Sequence, residues 1–255
     1  MKNAPVIPRS AFEFLKELKA NNNKPWFDAN KDRYLENLPA LEIFADALLA
    51  SLSRHDLLET PSGKKSLYRI YRDTRFSKDK TPYKSNWGGH FRRAGRERRG
   101  GYYYHFEPGG NSVVVGGFWA PSVPDLKLIR EDIAFDDKQI KKILNAKKFV
   151  ETFGALKGEQ LKRVPNGFPA DHPAAGLLKH KQFLLIRNFT DKEVLSPEFV
   201  SVVSDTFKNM RPFFDYMSMV LSADANGEFT PPHPLINATP SPPPRSHPLL
   251  PLDGK

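Results

Sequence analysis

The residues best suited to chemistry lie in one basic and aromatic run, RIYRDTRFSKDKTPYK, at positions 69–84. Its arginines offer planar arrays of donors that suit bidentate capture of a phosphate or carboxylate, and its lysines add point charges. We therefore expect a site for an anionic small molecule here. The candidate ligand-binding residues are Arg69, Arg72, Arg75, Lys80, Tyr83 and Lys84.

One acid, Asp73, stands among these arginines. If positions 66–72 form a strand, alternation places Arg69 and Tyr71 on one face, and Asp73 and Arg75 continue that face. Asp73 would then fix the orientation of one arginine in a two-arginine fork that holds an anion. The alternative is a structural ion-pair network of Arg69, Asp73 and Arg75 that secures the strand and binds no ligand.

Two histidines on candidate strands, His90 and His105, are candidates for acid or base chemistry near neutral pH. Together with Asp73 they are the predicted catalytic residues, and acid–base or hydrolytic chemistry would suit this set. An antiparallel sheet could place the histidines on the side of the arginines or on the opposite side, and the pattern leaves this open. The competing interpretation is that each histidine is a structural strand residue.

The familiar nucleotide, nucleophile and metal motifs are absent from the sequence. It contains no GxxxxGK followed by Ser or Thr, no strand-linked GxGxxG, no GxSxG, no HExxH spacing and no cysteine. We therefore expect no metal and no cofactor.

The positive charge is concentrated rather than spread. The chain carries 39 Lys or Arg against 29 Asp or Glu, and thirteen of the basic residues lie at positions 64–99 with only three acids. The rest of the chain is balanced, so an anionic partner is expected at one place, although a solvated basic loop would look similar. Aromatic residues are interleaved with the charges, which is typical of single-strand nucleic-acid binders. A non-enzymatic nucleic-acid-binding module is therefore the alternative function.

The strands and helices that position these residues can be predicted from the spacing of the apolar residues along the chain. Alternating apolar and aromatic residues predict strands at 66–72, 86–93, 101–107, 111–119 and 183–188, separated by short glycine-rich turns. A period of 3.6 predicts helices before, between and after them, with a capping box at Ser10 and Glu13 opening the first. The expected fold is therefore α+β, a central antiparallel meander flanked by N-terminal, middle and C-terminal helices.

The basic run also carries a family resemblance. Arg69, Arg72, Asp73, Arg75 and Phe76, followed by Asp79, Lys80 and Tyr83, form a pattern that resembles the signature of the family called domain of unknown function 2461. Similar segments extend the resemblance from about Phe12 to Leu221. The resemblance implies membership of that family and no particular reaction.

The chain ends in a stretch of different composition. Residues 222–255 contain nine prolines and no periodic apolar pattern, so we expect a single domain at 8–221 and a disordered proline-rich tail at 222–255. The tail's SPPPR run at 241–245 could bind a partner as a polyproline ligand, or be inert. Without cysteine or a membrane-length apolar segment, the chain is expected to be cytoplasmic and to bind no membrane.

Overall fold

A four-stranded antiparallel sheet forms the centre of the structure. The computed structural model describes residues 5–222. Its strands are β1 (Trp87–Arg92), β2 (Gly101–Phe106), β3 (Ser112–Phe118) and β4 (Phe183–Phe189), and they lie side by side in chain order. Every neighbouring pair is antiparallel. The α+β meander expected from the sequence is therefore confirmed.

Helices precede, interrupt and follow the strands. They are α1 (Arg9–Ala20), α2 (Lys24–Ala29), α3 (Lys31–Leu52), α4 (Gly63–Ser66), α5 (Val123–Phe135), α6 (Lys138–Leu144), α7 (Lys147–Phe153), α8 (Ala175–Leu178), α9 (Asp191–Val194) and α10 (Phe199–Ser222). The two longest helices, α3 and α10, pack against each other. Between residues 5 and 222, none of the helices is both long and apolar enough to cross a bilayer.

One face of the sheet packs into the hydrophobic core. Alternation along β2 sends Tyr102, Tyr104 and Phe106 to this face, where none is more than 1% exposed. The ring of Tyr102 lies 4.9 Å from that of Phe207 and 5.2 Å from that of Phe214, centroid to centroid, and both belong to α10. Burying side chains of this size contributes about 1.5–3 kcal/mol each to stability. These contacts hold the sheet on α10.

The opposite face, called here the open face, is partly accessible to solvent. The register across the four strands aligns His90, Tyr103, Val115 and Ile186 in one row. All four residues are only partly buried. Polar side chains on this side of the sheet can therefore meet a ligand.

Some local expectations were wrong. Positions 66–72 are not a strand. Helix α4 occupies their start, because the hydroxyl of Ser62 caps the backbone N–H of Lys65, and only isolated bridges follow it. The capping box at Ser10 does not form, since that hydroxyl donates to Asn37 of α3. The predicted tail, beyond its first residue, lies outside the described residues.

The glycines inside the strands allow close packing. A Cβ atom at Gly89 would overlap the ring of Tyr104, and one at Gly117 would overlap the carbonyl oxygen of Phe183 on β4. Gly117 also has a φ of 125°, which residues with a side chain rarely adopt. In both places it is a neighbouring chain segment that approaches the bare backbone.

Candidate ligand-binding cavity and the polar side chains of the open face

Residues 69–84, called here the basic arm, fold back on themselves. The backbone N–H of Arg72 donates to the carbonyl of Pro82 at 2.8 Å, and that of Lys84 donates to Ile70 at 2.7 Å. A bridge between Tyr71 and Tyr83 completes the hairpin-like pairing. The predicted ligand-binding residues therefore lie on a chain segment that folds back on itself outside the four-stranded sheet, and not on a strand of the sheet.

Two of the arm's arginines pair with acids of the arm itself. The guanidinium of Arg75 donates through Nε and Nη2 to the two carboxylate oxygens of Asp73, at 3.0 and 2.8 Å. Arg72 donates to Asp79 and to the hydroxyl of Thr81. The backbone N–H of Thr81 and the guanidinium of Arg72 lower the pKa of Asp79 to about 2. The structure thus contains two separate pairs instead of one fork centred on Asp73.

The remaining predicted ligand-binding residues of the arm differ in burial and in their hydrogen-bond partners. Tyr83 is buried, with its ring stacked on that of Phe27 at 4.0 Å. The ammonium group of Lys84 donates to the carbonyls of Arg69 and Tyr71, and Lys80 donates to Thr74 at 2.9 Å. Burial, followed by the charges of Arg69 and Arg72, lowers the pKa of Lys84. Arg69 is exposed, and within residues 5–222 it has no acidic partner.

A second group of arginines lines a cavity of about 450 Å³ beside the turn between β1 and β2. This arginine cavity was missed by our sequence analysis, although five arginines between positions 92 and 99 were a visible signal. Its wall includes a histidine of the open face and one acid. The lining residues are Glu59, His90, Arg92, Arg93, Gly95, Arg96, Arg98, Arg99 and Gly100.

Acidic side chains neutralise most of the cavity's arginines. Arg96 differs, because it is exposed and has no ion-pair or hydrogen-bond partner within residues 5–222. Its five N–H donors are therefore available to a ligand. The four pairs are Arg92 with Glu59, Arg93 with Asp56, Arg98 with Glu97, and Arg99 with Asp125.

His90 forms part of the cavity wall as a neutral imidazole. Burial, and then the nearby charge of Arg92, lowers the pKa of His90 to about 4. Its Nε2 lies over Gly101, only 2.6 Å from the place where a Cβ atom on Gly101 would stand. At neutral pH the ring therefore offers one donor and one acceptor, and no charge.

The other predicted histidine, His105, belongs to a row of three polar side chains on β2 and just beyond it. The hydroxyl of Tyr103 lies 3.1 Å from Nδ1 of His105, and Nε2 of His105 lies 2.9 Å from Oε2 of Glu107. His105 and Glu107 are 5% and 7% exposed. We call Tyr103, His105 and Glu107 the polar row.

The sheet places both predicted histidines on the open face. His90 is directly opposite Tyr103 in the register of β1 and β2, and His105 is opposite Gly88. Asp73, the third predicted catalytic residue, pairs instead with Arg75 on the arm. The structure thus places His90 and His105 on the same face of the sheet, and it joins His105 to Tyr103 and Glu107, which our sequence analysis did not select.

Comparisons with known proteins give one match. A family model described as conserved hypothetical protein (DUF2461) matches residues 10–216. No curated protein and no solved structure matches the chain. The matched range contains the arginine cavity, the basic arm and the polar row.

Proposed function

Because the chain belongs to the conserved hypothetical protein family DUF2461, whose description names no ligand, we propose a function from geometry: the arginine cavity binds a phosphate- or carboxylate-bearing small molecule. A cytoplasmic location is part of the proposal, since a chain without cysteine has no disulfide that would require an oxidising compartment.

The observation that carries this proposal is the guanidinium of Arg96 on the wall of a cavity, which has no partner among residues 5–222. A volume of about 450 Å³ suits a small metabolite. Guanidinium groups bind phosphate and carboxylate through paired donors, and neutral His90 adds a donor without a charge. Arg92, Arg98 and Arg99 are partly accessible and keep donors outside their ion pairs, because each guanidinium has five N–H groups.

Replacing Arg96 with alanine should weaken binding of inorganic phosphate, pyrophosphate or citrate at least tenfold. A hydrogen bond to a charged group contributes about 1.5–3 kcal/mol, which corresponds to roughly ten- to a hundredfold in affinity. Isothermal titration calorimetry would measure the change. Arg75→Ala is the matched control, because that arginine is paired with Asp73 on the arm. Equal losses in the two variants, or no binding of any of the three anions by the native chain, would refute the cavity as the site.

A second candidate function, nucleic-acid binding by the basic arm, is supported by a different observation. Arg69, Lys78 and Lys80 are exposed on the arm, and the ring of Tyr71 is 54% exposed beside them. Exposed cations with an aromatic ring are suited to a phosphate backbone and a stacked base.

For this candidate, the affinity for a fluorescent oligothymidylate should fall with salt. For a single strand, the logarithm of the affinity drops with a slope of about 0.7 per phosphate contacted. The double variant Lys78→Ala, Lys80→Ala should reduce that slope by more than one unit in fluorescence anisotropy. A slope near zero in the native chain would exclude this function, whatever the result for Arg96.

A further inference from the structure

Tyr103 differs from its neighbours on β2 in the partner of its hydroxyl. The hydroxyl of Tyr102 donates to the buried carboxylate of Asp56 at 2.6 Å, and that of Tyr104 lies 2.7 Å from the hydroxyl of Ser66. Both of these tyrosines lie in the core. Only Tyr103, of the three, lies on the open face with its hydroxyl against a histidine.

The hydrogen bonds of the polar row assign one tautomer to a neutral His105 ring. Burial would raise the pKa of Glu107, but hydrogen bonds from His105 and Lys19 outweigh it and hold that pKa below its usual value. Glu107 is therefore a carboxylate and can only accept, so Nε2 of His105 must carry a proton and donate to it. In the neutral ring, Nδ1 is then a lone pair, and it accepts the hydroxyl proton of Tyr103.

This arrangement has the order of groups found in activated nucleophiles, and because burial raises the pKa of Tyr103, its hydroxyl depends on the imidazole to take its proton. A hydroxyl is paired with an imidazole, and the imidazole is oriented by a carboxylate that stabilises the imidazolium when the proton moves. Lys19, at 2.8 Å, and Ser85, at 3.2 Å, hold the other carboxylate oxygen of Glu107. Because Lys19 and Ser85 hold Oε1, the carboxylate is oriented with Oε2 towards His105.

We propose that Tyr103 is a nucleophile, with His105 as its base and Glu107 as the residue that positions His105. Its substrate class is a phosphate ester that carries a second anionic group besides the phosphate under attack. This second group occupies the arginine cavity, an assignment that rests on the proposed function. His90 on the cavity wall is the cross-strand neighbour of Tyr103, so a molecule anchored in the cavity extends onto the open face beside it.

The step balances without any further reactant. Oη of Tyr103 forms a bond to phosphorus, and its proton passes to Nδ1 of His105. The bond from phosphorus to the leaving oxygen breaks, and His105 returns the proton to that oxygen. Water then attacks phosphorus and gives one proton to His105, the bond from phosphorus to Oη breaks, and His105 returns that proton to Oη, so that free phosphate and the tyrosine hydroxyl are restored.

The nucleophile is tested by labelling with benzenesulfonyl fluoride, an uncharged probe that does not need the cavity. Oη of Tyr103 bonds to sulfur, fluoride leaves, and the proton goes to His105. Mass spectrometry of peptides should show Tyr103 labelled at least tenfold faster than Tyr71, which is exposed and has no histidine partner in the described part of the chain. His105→Gln, which keeps a polar group but cannot take the proton, should slow labelling at least tenfold. Equal rates in either comparison would overturn the proposal.

Three further measurements separate the causes of failure. Nitrogen-15 NMR of the native chain should show His105 protonated at Nε2 and bare at Nδ1, and the opposite tautomer would overturn the proposal even if His105→Gln does not fold. For Glu107→Gln, labelling should slow while the melting temperature changes little. Hydrolysis of phosphoglycolate, whose carboxylate is the second anionic group, should be lost in Tyr103→Phe and reduced in Arg96→Ala. Labelling without hydrolysis would overturn the assigned substrate class and leave the nucleophile in place.

Discussion

Replacing Asp56 with alanine is expected to lower the free energy of unfolding by about 3–5 kcal/mol, because it removes the buried carboxylate that pairs with the buried charge of Arg93. The side chains of Asp56 and Arg93 are each 1% exposed, and Nε of Arg93 lies 2.7 Å from the carboxylate. The same carboxylate accepts the hydroxyl of Tyr102, which also loses its partner in the core. Urea unfolding followed by circular dichroism would measure the loss.

The matched control for this prediction is Asp215→Ala. Asp215 also contacts Arg93, at 2.8 Å, but its side chain is 52% exposed. Water can replace an exposed carboxylate, so the expected loss is about 1 kcal/mol or less. Losses of similar size for Asp56→Ala and Asp215→Ala would show that burial does not control the stability of this network.

The same variant should also affect ligand binding. Nη1 of Arg93 donates to the carbonyl of Arg99 at 2.9 Å, and the backbone N–H of Arg99 donates to Ser218 of α10. These bonds hold the turn that carries Arg96. Asp56→Ala is therefore expected to weaken the binding of pyrophosphate even under conditions in which the variant remains folded.

His90 is expected to make the fold lose stability as the pH is lowered from about 6.5 to about 4. Its pKa in the folded chain is about 4, whereas an unfolded histidine has its ordinary value near 6.5. Between these values the unfolded chain binds more protons, so stability rises with pH across this window. The contribution is fully present above pH 6.5, and its loss near pH 4 amounts to about 3 kcal/mol.

The measurement for His90 is a comparison of pH profiles. Carboxylates and other histidines titrate in both chains, so the informative quantity is the difference in unfolding free energy between the native chain and His90→Gln. That difference should change by about 3 kcal/mol between pH 7 and pH 4. A constant difference would mean that His90 can be protonated freely in the folded chain.

The fold was largely predictable because its signals are local. Alternation and glycine-rich turns located β1, β2, β3 and β4 to within about two residues of their observed ends. The expected strand at 66–72 failed because Tyr71 pairs with Tyr83 of the basic arm and only Leu67 forms a bridge to β1. Because successive side chains of a strand point to opposite faces of a sheet, the sequence also predicted that neighbouring residues on β2 would face the core and the open face in turn.

The candidate site was less predictable, since its residues depend on distant partners. The concentration of positive charge at 64–99 was visible in the sequence, and so were His90 and His105. The sequence did not show which arginines pair with an acid and which remain available to a ligand. Arg75 pairs with an acid two residues away, whereas Glu97, the neighbour of Arg96 in the chain, pairs with Arg98 instead.

The sequence by itself determined the strands, the helices and the place of the charge, because each is encoded in residues close together in the chain. Only the tertiary structure decided which cations remain available. Arg93 is neutralised by Asp56 and Asp215, which lie 37 and 122 residues away, and no local pattern reports such a pairing. The register of β1 and β2 likewise placed His90 opposite Tyr103, because the pairing of two strands fixes which side chains meet across them.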